Sequence, residues 1–377
     1  MSRFYRYPSC VLNSGYSRNV IQDLFHSQYF FVPDLLLRVL QNQNGRSIND
    51  IKKKYKPVLH DIIDSYFSFL KEKDIVYFTN NKVLFKNLSS VFDFPATISN
   101  CIIILNNNTE IEIKNRIFSV ESCGCEHLQL FIKNQNVDYH YIYYLLKLFN
   151  KSRISTIELV LSFNEKLSTI GELQNLFIDY PRLFKIVLFS APATKILSVD
   201  NGFNKKFVSY IAEDMSYEDC GAVHPLLFKN NITFYTESQK YNTCLNRKLC
   251  LDAEGNIKNC PAMKQSFGNI NDTALTKVVE KQEFSKLWFI HKDQIDVCKD
   301  CEFRHMCMDC RCFIKDLDNI YSQPAKCTYN PYICKWEGQE GYVSVENCGT
   351  YYKETGFVPN KRRIAKLNKL IWGDNNE

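Results

Sequence analysis

The sequence predicts an α/β protein in three parts: an N-terminal winged-helix-like domain, a partial (β/α) barrel and a C-terminal cysteine-rich domain. Helix-period apolar stripes fill residues 1–92 and end in two short β-type runs. Apolar runs of strand length then recur between about 96 and 240, with helical segments between several of them. Past residue 241 the cysteines crowd together, which ordinary core packing does not explain.

In the first part, Val20-Ile21 and Tyr29 to Val32 suggest a short hairpin. Pro33 suits the first turn of a helix carrying Leu36, Leu37, Val39 and Leu40. Ser47 caps a second helix through Ile51, with Asp50 three residues on in the manner of a capping box. A third helix from Pro57 aligns Leu59, Ile62, Ile63, Tyr66, Phe67 and Leu70 on one face. Ile75 to Phe78, the Asn80-Asn81 turn and Val83 to Phe85 then make a hairpin. Three helices ending in such a hairpin form a winged-helix pattern, which serves either DNA reading or peptide capture by strand addition. Lys52, Lys53, Lys54, Lys56 and His60 form its basic cluster, which also suits a solvated helix end.

The strand-like runs of the second part are Cys101 to Leu105, Leu128 to Ile132, Ile157 to Leu161, Phe184 to Phe189, Phe207 to Ile211 and Ile232 to Tyr235. Helical patterns at Tyr139 to Phe149 and Leu167 to Tyr180 separate them, so the sheet is predicted parallel. A closed eight-fold barrel needs about 200 residues or more, so an open barrel of roughly six strands fits better. In the tail, residues 359–372 predict a short basic helix with Ile364, Leu367 and Ile371 facing the body.

Composition bounds the function. The chain has 377 residues, 45% hydrophobic and 14% aromatic, which describes a globular protein. A net charge of +6 falls short of a dedicated nucleic-acid binder. Neither a membrane span nor a signal-peptide pattern is present, so a cytoplasmic location is expected, with no nucleic-acid or membrane partner. The sixteen cysteines then read as thiols and metal ligands, not disulfides.

Their spacing points to metal. Cys298, Cys301, Cys307, Cys310 and Cys312 fall in one short run, Cys327 follows, and Cys244, Cys250 and Cys260 precede. Short loops with this spacing turn neighbouring thiolates inward on one centre. Eight thiolates would hold two zinc ions or two iron–sulfur clusters. His305 is a nitrogen ligand available to a zinc site. Cys123 and Cys125 read as packed thiols, as do Cys10, Cys101, Cys220, Cys334 and Cys348.

Cys244-x5-Cys250, Gly255 four residues before Cys260, the trailing Phe267-Gly-Asn-Ile270 and C-x2-C-x5-C from Cys298 resemble the SPASM domain of radical S-adenosylmethionine peptide-modifying enzymes. Two residues, not the usual three, precede Cys310. The resemblance implies one 4Fe-4S cluster on Cys244, Cys250, Cys260 and Cys310, and a second on Cys298, Cys301, Cys307 and Cys327. Cys312 remains an alternative to Cys310. Met306-Cys307-Met-Asp-Cys310-Arg311, Gln323-Pro324 to Cys327, Tyr329 to Tyr332 and Trp336 resemble, more narrowly, the SPASM peptide maturases of grasp-with-spasm systems. That family implies a precursor peptide and an ATP-grasp peptide ligase as partners, and leader recognition by the winged-helix-like part. The domains are then expected at 1–92 (leader recognition), 93–240 (radical S-adenosylmethionine-like partial barrel), 241–345 (SPASM) and 346–377 (tail).

In one respect the family pattern breaks. A radical enzyme of this type holds its reducing cluster in a C-x3-C-x2-C loop after the first barrel strand. Here Asn106-Asn-Asn-Thr109 follows Leu105, without a cysteine, so no cleavage of S-adenosylmethionine is expected. Whether the chain is an enzyme stays open, and its catalytic residues are not identified. The leading expectation is an iron–sulfur protein in maturation of a ribosomally synthesised peptide, binding its leader and acting with an ATP-grasp ligase. The alternatives are a redox-active peptide-modifying enzyme using auxiliary clusters and a zinc-stabilised winged-helix regulator.

Overall fold

The computed structural model describes residues 2–81, 85–132, 137–167, 170–200, 205–217 and 220–373. The chain divides into two compact units. One comprises residues 1–92, 221–243 and 290–377; the other comprises 93–220 and 244–289.

The first unit opens with β1 (Arg3–Arg6), followed by a meander of β2 (Cys10–Ser14), β3 (Asn19–Asp23) and β4 (Gln28–Val32). The expected hairpin of Val20-Ile21 with Tyr29 to Val32 is the β3–β4 pair, antiparallel with Val20 opposite Phe31. Three helices follow: α1 (Asp34–Asn42), α2 (Ile48–Lys52) and α3 (His60–Glu72). Pro33 stands at the N-cap of α1, one residue before its first turn, and the Ser47 hydroxyl caps α2 by accepting from the Asp50 amide. Leu36, Leu40, Ile51, Ile63, Phe67 and Leu70 from these helices close one core around Phe4 and Ile21. Next comes β5 (Val76–Thr79), which pairs antiparallel with β1. The second arm expected at Val83 to Phe85 begins outside the described residues, and the Phe85 ring packs on Tyr7 and Tyr77.

Every residue of β3 is buried because the strand is covered on both faces. Successive side chains alternate. Ile21 enters the helical core, while Val20 packs with Phe303, Met306, Cys307 and Tyr329 of the cysteine run. The β2–β3 turn reaches the same run: the Tyr16 amide donates to the Asp300 carbonyl at 2.7 Å, and Arg304 donates to the Ser14 carbonyl at 2.6 Å. A Cβ on Gly15 would stand 2.8 Å from the Glu302 amide nitrogen, so only glycine permits this approach.

The second unit is an open eight-stranded sheet, mainly parallel, as the fold class predicted. In chain order it contains β6 (Asn100–Leu105), α4 (Glu110–Ser122), β7 (His127–Ile132), α5 (Tyr139–Lys147), β8 (Thr156–Ser162), α6 (Ile170–Asp179), β9 (Leu183–Phe189), β10 (Lys195–Asp200), β11 (Lys205–Tyr210), β12 (Lys248–Leu251) and β13 (Ile257–Lys258). The strand order is β10-β11-β9-β8-β7-β6-β12-β13, with antiparallel pairing only at the two ends. Six neighbours from β12 to β11 are therefore parallel. One expected member was wrong. Ile232 to Tyr235 is not a strand but part of helix α7 (Ile232–Ser238) of the first unit, started by the Asn231 side chain accepting from the Phe234 amide. The sixth parallel strand is β12 instead, and it carries Cys250 opposite Ile102.

Cys101, Ile103 and Leu105 of β6 face the main core, which includes Ile113, Ile117, Ile142 and Leu145 from α4 and α5. Cys123 and Cys125 lie buried in that core. The opposite face of the sheet is packed with Ile104, Phe131, Val160, Val187 and Phe189, with Tyr217 against them. Phe131 stacks on Phe189 at 5.7 Å and meets Tyr217 at 4.8 Å.

The rest of the first unit contains α7, the cysteine run and the hairpins β14–β15 (Tyr329–Asn330, Lys335–Trp336) and β16–β17 (Gly349–Tyr352, Gly356–Pro359). It ends in the helix Lys361–Trp372. Ile364 is buried there, with Leu367 and Ile371 packed beside Tyr332 and Phe357, as their spacing predicts. Among the described residues no helix is long and apolar enough to cross a membrane.

Candidate metal centre

The cysteine run folds with little regular structure, so tight turns aim its thiols. Val297 adopts φ 66° and ψ −43°, with the Cys298 amide donating to the Asp296 carbonyl at 2.7 Å. This is a γ-turn at a β-branched residue, a strained conformation that costs about 1–3 kcal/mol. The buried Val297 side chain, packed with Tyr332, Val345 and Phe357, supplies the offset. A 3₁₀ turn over Cys298–Asp300 brings the Cys301 amide to the Cys298 carbonyl at 3.0 Å.

Cys298, Cys301, Cys307 and Cys327 thereby line one cavity, together with Lys292 and the rings of Phe228, Phe303 and Trp336. Its empty space is about 350 Å³, mouth included. The thiols surround a space and do not converge on a point: among the described residues, no three His, Cys, Asp or Glu side chains form an ion-chelating group. Burial pushes the Cys298 and Cys307 thiols up, against the nearby Lys292 ammonium. Burial also raises Cys301, reinforced by the Glu302 carboxylate. Bare thiolates are thus disfavoured here, and ionisation calls for a cationic occupant.

The polar groups suit a sulfur-rich occupant. The Lys292 side chain is 4% exposed, with Nζ 3.8 Å from Cys298 Sγ and 3.6 Å from Cys307 Sγ. Burial works to lower its pKa, but Cys298 and Cys307, once ionised, and Asp309 outweigh burial and raise it. Gln323 lines the cavity too. Four thiols around one cavity and a buried cation at two of them fit a cluster-sized inorganic group.

His305, the candidate zinc ligand, is engaged elsewhere. Its Nδ1 lies 3.2 Å from Ser238 Oγ and 3.2 Å from the Gln239 amide nitrogen, and Nε2 faces Asp293 at 3.7 Å. It is not among the residues lining the cavity.

The upstream cysteines belong to the second unit. Cys250 sits within β12, Cys244 precedes that strand, and Cys260 follows the β12–β13 hairpin. Asp252 closes the hairpin by accepting from the Asn256 amide at 2.8 Å and pairing with Lys258 at 2.9 Å. Lys248 is surrounded by thiols: burial would lower its pKa, but Cys244, Cys260, Cys220 and Cys250 together raise it. Cys220, read from sequence as incidental, thus joins this set. Its neighbourhood depends on long-range folding, and no local spacing announces it.

Cys310 belongs to the first unit, where it is buried. Gly221, at φ +85°, packs so closely that an added Cβ would stand 2.9 Å from Cys310 Sγ. Cys312 is only half-buried.

Residues 243–302 match the family model of the SPASM iron–sulfur cluster-binding domain. The cysteine region is of SPASM type. Its match spans Cys244, Cys250, Cys260, Cys298 and Cys301, with Cys307, Cys310 and Cys327 downstream. Among solved structures, Streptococcus suis SuiB bound to its precursor peptide SuiA is similar at 10% identity and TM-score 0.38, over 86% of this chain and 99% of that one. SuiB bound to S-adenosylmethionine is similar at 10% identity and TM-score 0.33, over 82% and 96%. No curated protein matches the chain.

Proposed function

We propose that the chain is a SPASM peptide maturase that carries two 4Fe-4S clusters without cleaving S-adenosylmethionine. Cys298, Cys301, Cys307 and Cys327 hold one cluster; Cys244, Cys250, Cys260 and Cys310 hold the other. The carrying observation is the cavity that gathers the first four of these thiols around Lys292. A bound cluster would supply electron transfer or a structural clamp. The protein supplies an apolar, aromatic-walled pocket that keeps water from the sulfurs.

Two features of the barrel support the absence of radical chemistry. The connection from β6 to α4 is the four residues Asn106–Thr109, too short for the eight positions of C-x3-C-x2-C. Thr109 and Glu112 form a reciprocal capping box that starts α4 immediately. The sheet face where a substrate would lie in a working barrel is filled by Phe131, Phe189 and Tyr217.

The N-terminal part binds the leader of a ribosomally made precursor peptide by strand addition, and the mature function involves an ATP-grasp ligase. The basic cluster does not favour DNA. Lys52 pairs with Asp64, Lys53 with Asp50, and Lys54 donates to Gln43, while His60 Nε2 is occupied by the Lys52 carbonyl. Anaerobic purification followed by iron, sulfide and zinc analysis tests the cofactor. Titration of the full chain with the precursor tests the partner. Two zinc ions and no sulfide would refute the cluster reading, and absence of precursor binding would refute the maturase reading.

A further inference from the structure

We propose that Lys292 is the charge partner of the cluster held by Cys298, Cys301, Cys307 and Cys327, and that it sets that cluster's reduction potential; this rests on the iron–sulfur reading above. The hydrogen-bonded set behind the cavity contains Lys292, Asp309 and Arg311, all buried. Asp309 is already satisfied without Lys292. Its Oδ1 accepts from Arg311 at 2.7 Å and its Oδ2 from Asn242 at 2.6 Å. Lys292 Nζ lies farther away, 3.7 Å from Oδ1. Arg311 also donates to the Ser322 carbonyl at 2.8 Å and the Ile320 carbonyl at 3.1 Å. Two buried cations and one carboxylate leave a positive charge uncompensated, which four thiolates on a bound cluster, together a net anion, would offset.

The other charged groups of this region are matched in pairs. Glu302 takes Arg18, Asp296 takes Lys299, and Asp293 takes Arg304. Lys292 alone among these cations has its head group on the cavity sulfurs, at hydrogen-bonding reach of two. A thiolate-ligated cluster is an anion and gains negative charge on reduction. A fixed ammonium at its sulfurs therefore stabilises the reduced state and raises the potential. In water the same charge would be screened, but the apolar walls preserve it.

The experiment uses the full chain, loaded anaerobically, with EPR-monitored redox titration of Lys292→Met, Lys292→Arg and Asp309→Asn. Lys292→Met is expected to keep wild-type iron and to lower one cluster's midpoint. The shift should be at least about tenfold in the reduced-to-oxidised ratio, or about 59 mV for a one-electron couple. The other cluster's midpoint should stay in place. Lys292→Arg should restore most of the shift, and Asp309→Asn, which removes the opposing carboxylate, should move the same midpoint upward. Unchanged midpoints in an iron-replete Lys292→Met chain would overturn the charge role. If that variant does not fold, an unmoved or lowered midpoint in Asp309→Asn overturns it instead. A wild-type chain without iron would overturn the cluster reading itself.

Discussion

Arg18→Met should destabilise the first unit by about 3.5–4 kcal/mol, although Arg18 lies far from the cysteines in sequence. Its Nε donates to Glu302 Oε1 at 2.9 Å, and Glu302, beside Cys301, is fully buried. Tyr329 donates to the same oxygen at 2.5 Å. Removing one partner of a buried ion pair costs about 3–5 kcal/mol, because the remaining charge is stranded. The low end applies here. The guanidinium is 27% exposed, and burial already raises the Glu302 pKa against the pull of Arg18 and Tyr329, so protonation limits the loss. The Arg18 guanidinium also sits 3.7 Å over the Phe31 ring, and losing that contact adds about 0.5–1 kcal/mol. With a urea m-value of about 3 kcal/mol per molar, the midpoint should fall by about 1 M. Anaerobic urea titration followed by Trp fluorescence and by release of iron measures it. In Arg18→Met/Glu302→Gln the stranded charge is gone while Tyr329 keeps an acceptor, so stability should return to within about 1 kcal/mol of wild type. A midpoint unchanged in the single variant, or two single effects that simply add, would refute this account of the pair.

The wild-type chain should be brown and hold about eight irons with matching sulfide, which elemental analysis checks. Cys301→Ala should lose about half the iron and unfold more readily, whereas Cys123→Ala, a small change in the barrel core, should keep full iron and cost about 1 kcal/mol. Gly221→Ala forces a left-handed backbone and a clash at Cys310, so stability should fall by about 2–4 kcal/mol and iron should drop towards four; wild-type iron would remove Cys310 from the ligand set. The reduced chain with its precursor and S-adenosylmethionine should form no 5′-deoxyadenosine above background by chromatography, and a peptide-dependent burst would contradict the filled barrel face.

What was legible in the sequence was whatever repeats locally. Helical stripes placed α1, α3, α5 and the terminal helix, and uninterrupted apolar runs placed five of the six parallel strands. The sixth was misplaced for a physical reason. Ile232 to Tyr235 has the β-branched and aromatic composition of a strand, but the Asn231 cap and the polar Thr236 to Ser238 carry it into a helix. Lys248–Leu251 was not read as a strand because Arg247 and Lys248 leave only a three-residue apolar run. β2 was missed because its Asn13 is a polar residue buried in the meander, which defeats an inside–outside reading. The ligand candidates announced themselves by spacing, since nearby thiols share a loop. Lys292, Lys248 and Arg18 gave no such signal, because a single basic residue acquires meaning only from partners brought by the fold.

The downstream cysteine run explains its own sequence more fully than its ligands do. Several residues between the thiols have distinct mechanical tasks. Asp300 receives the Tyr332 hydroxyl at 2.7 Å and lends its carbonyl to Tyr16. Glu302 anchors Arg18, Phe303 fills the cavity wall against Phe228 and Trp336, and Arg304 reaches Ser14. Asp309 then pins Asn242 and Arg311. The β2–β3 turn therefore braces the backbone on either side of Cys301, and the N-terminal meander and the cysteine run belong to one compact unit.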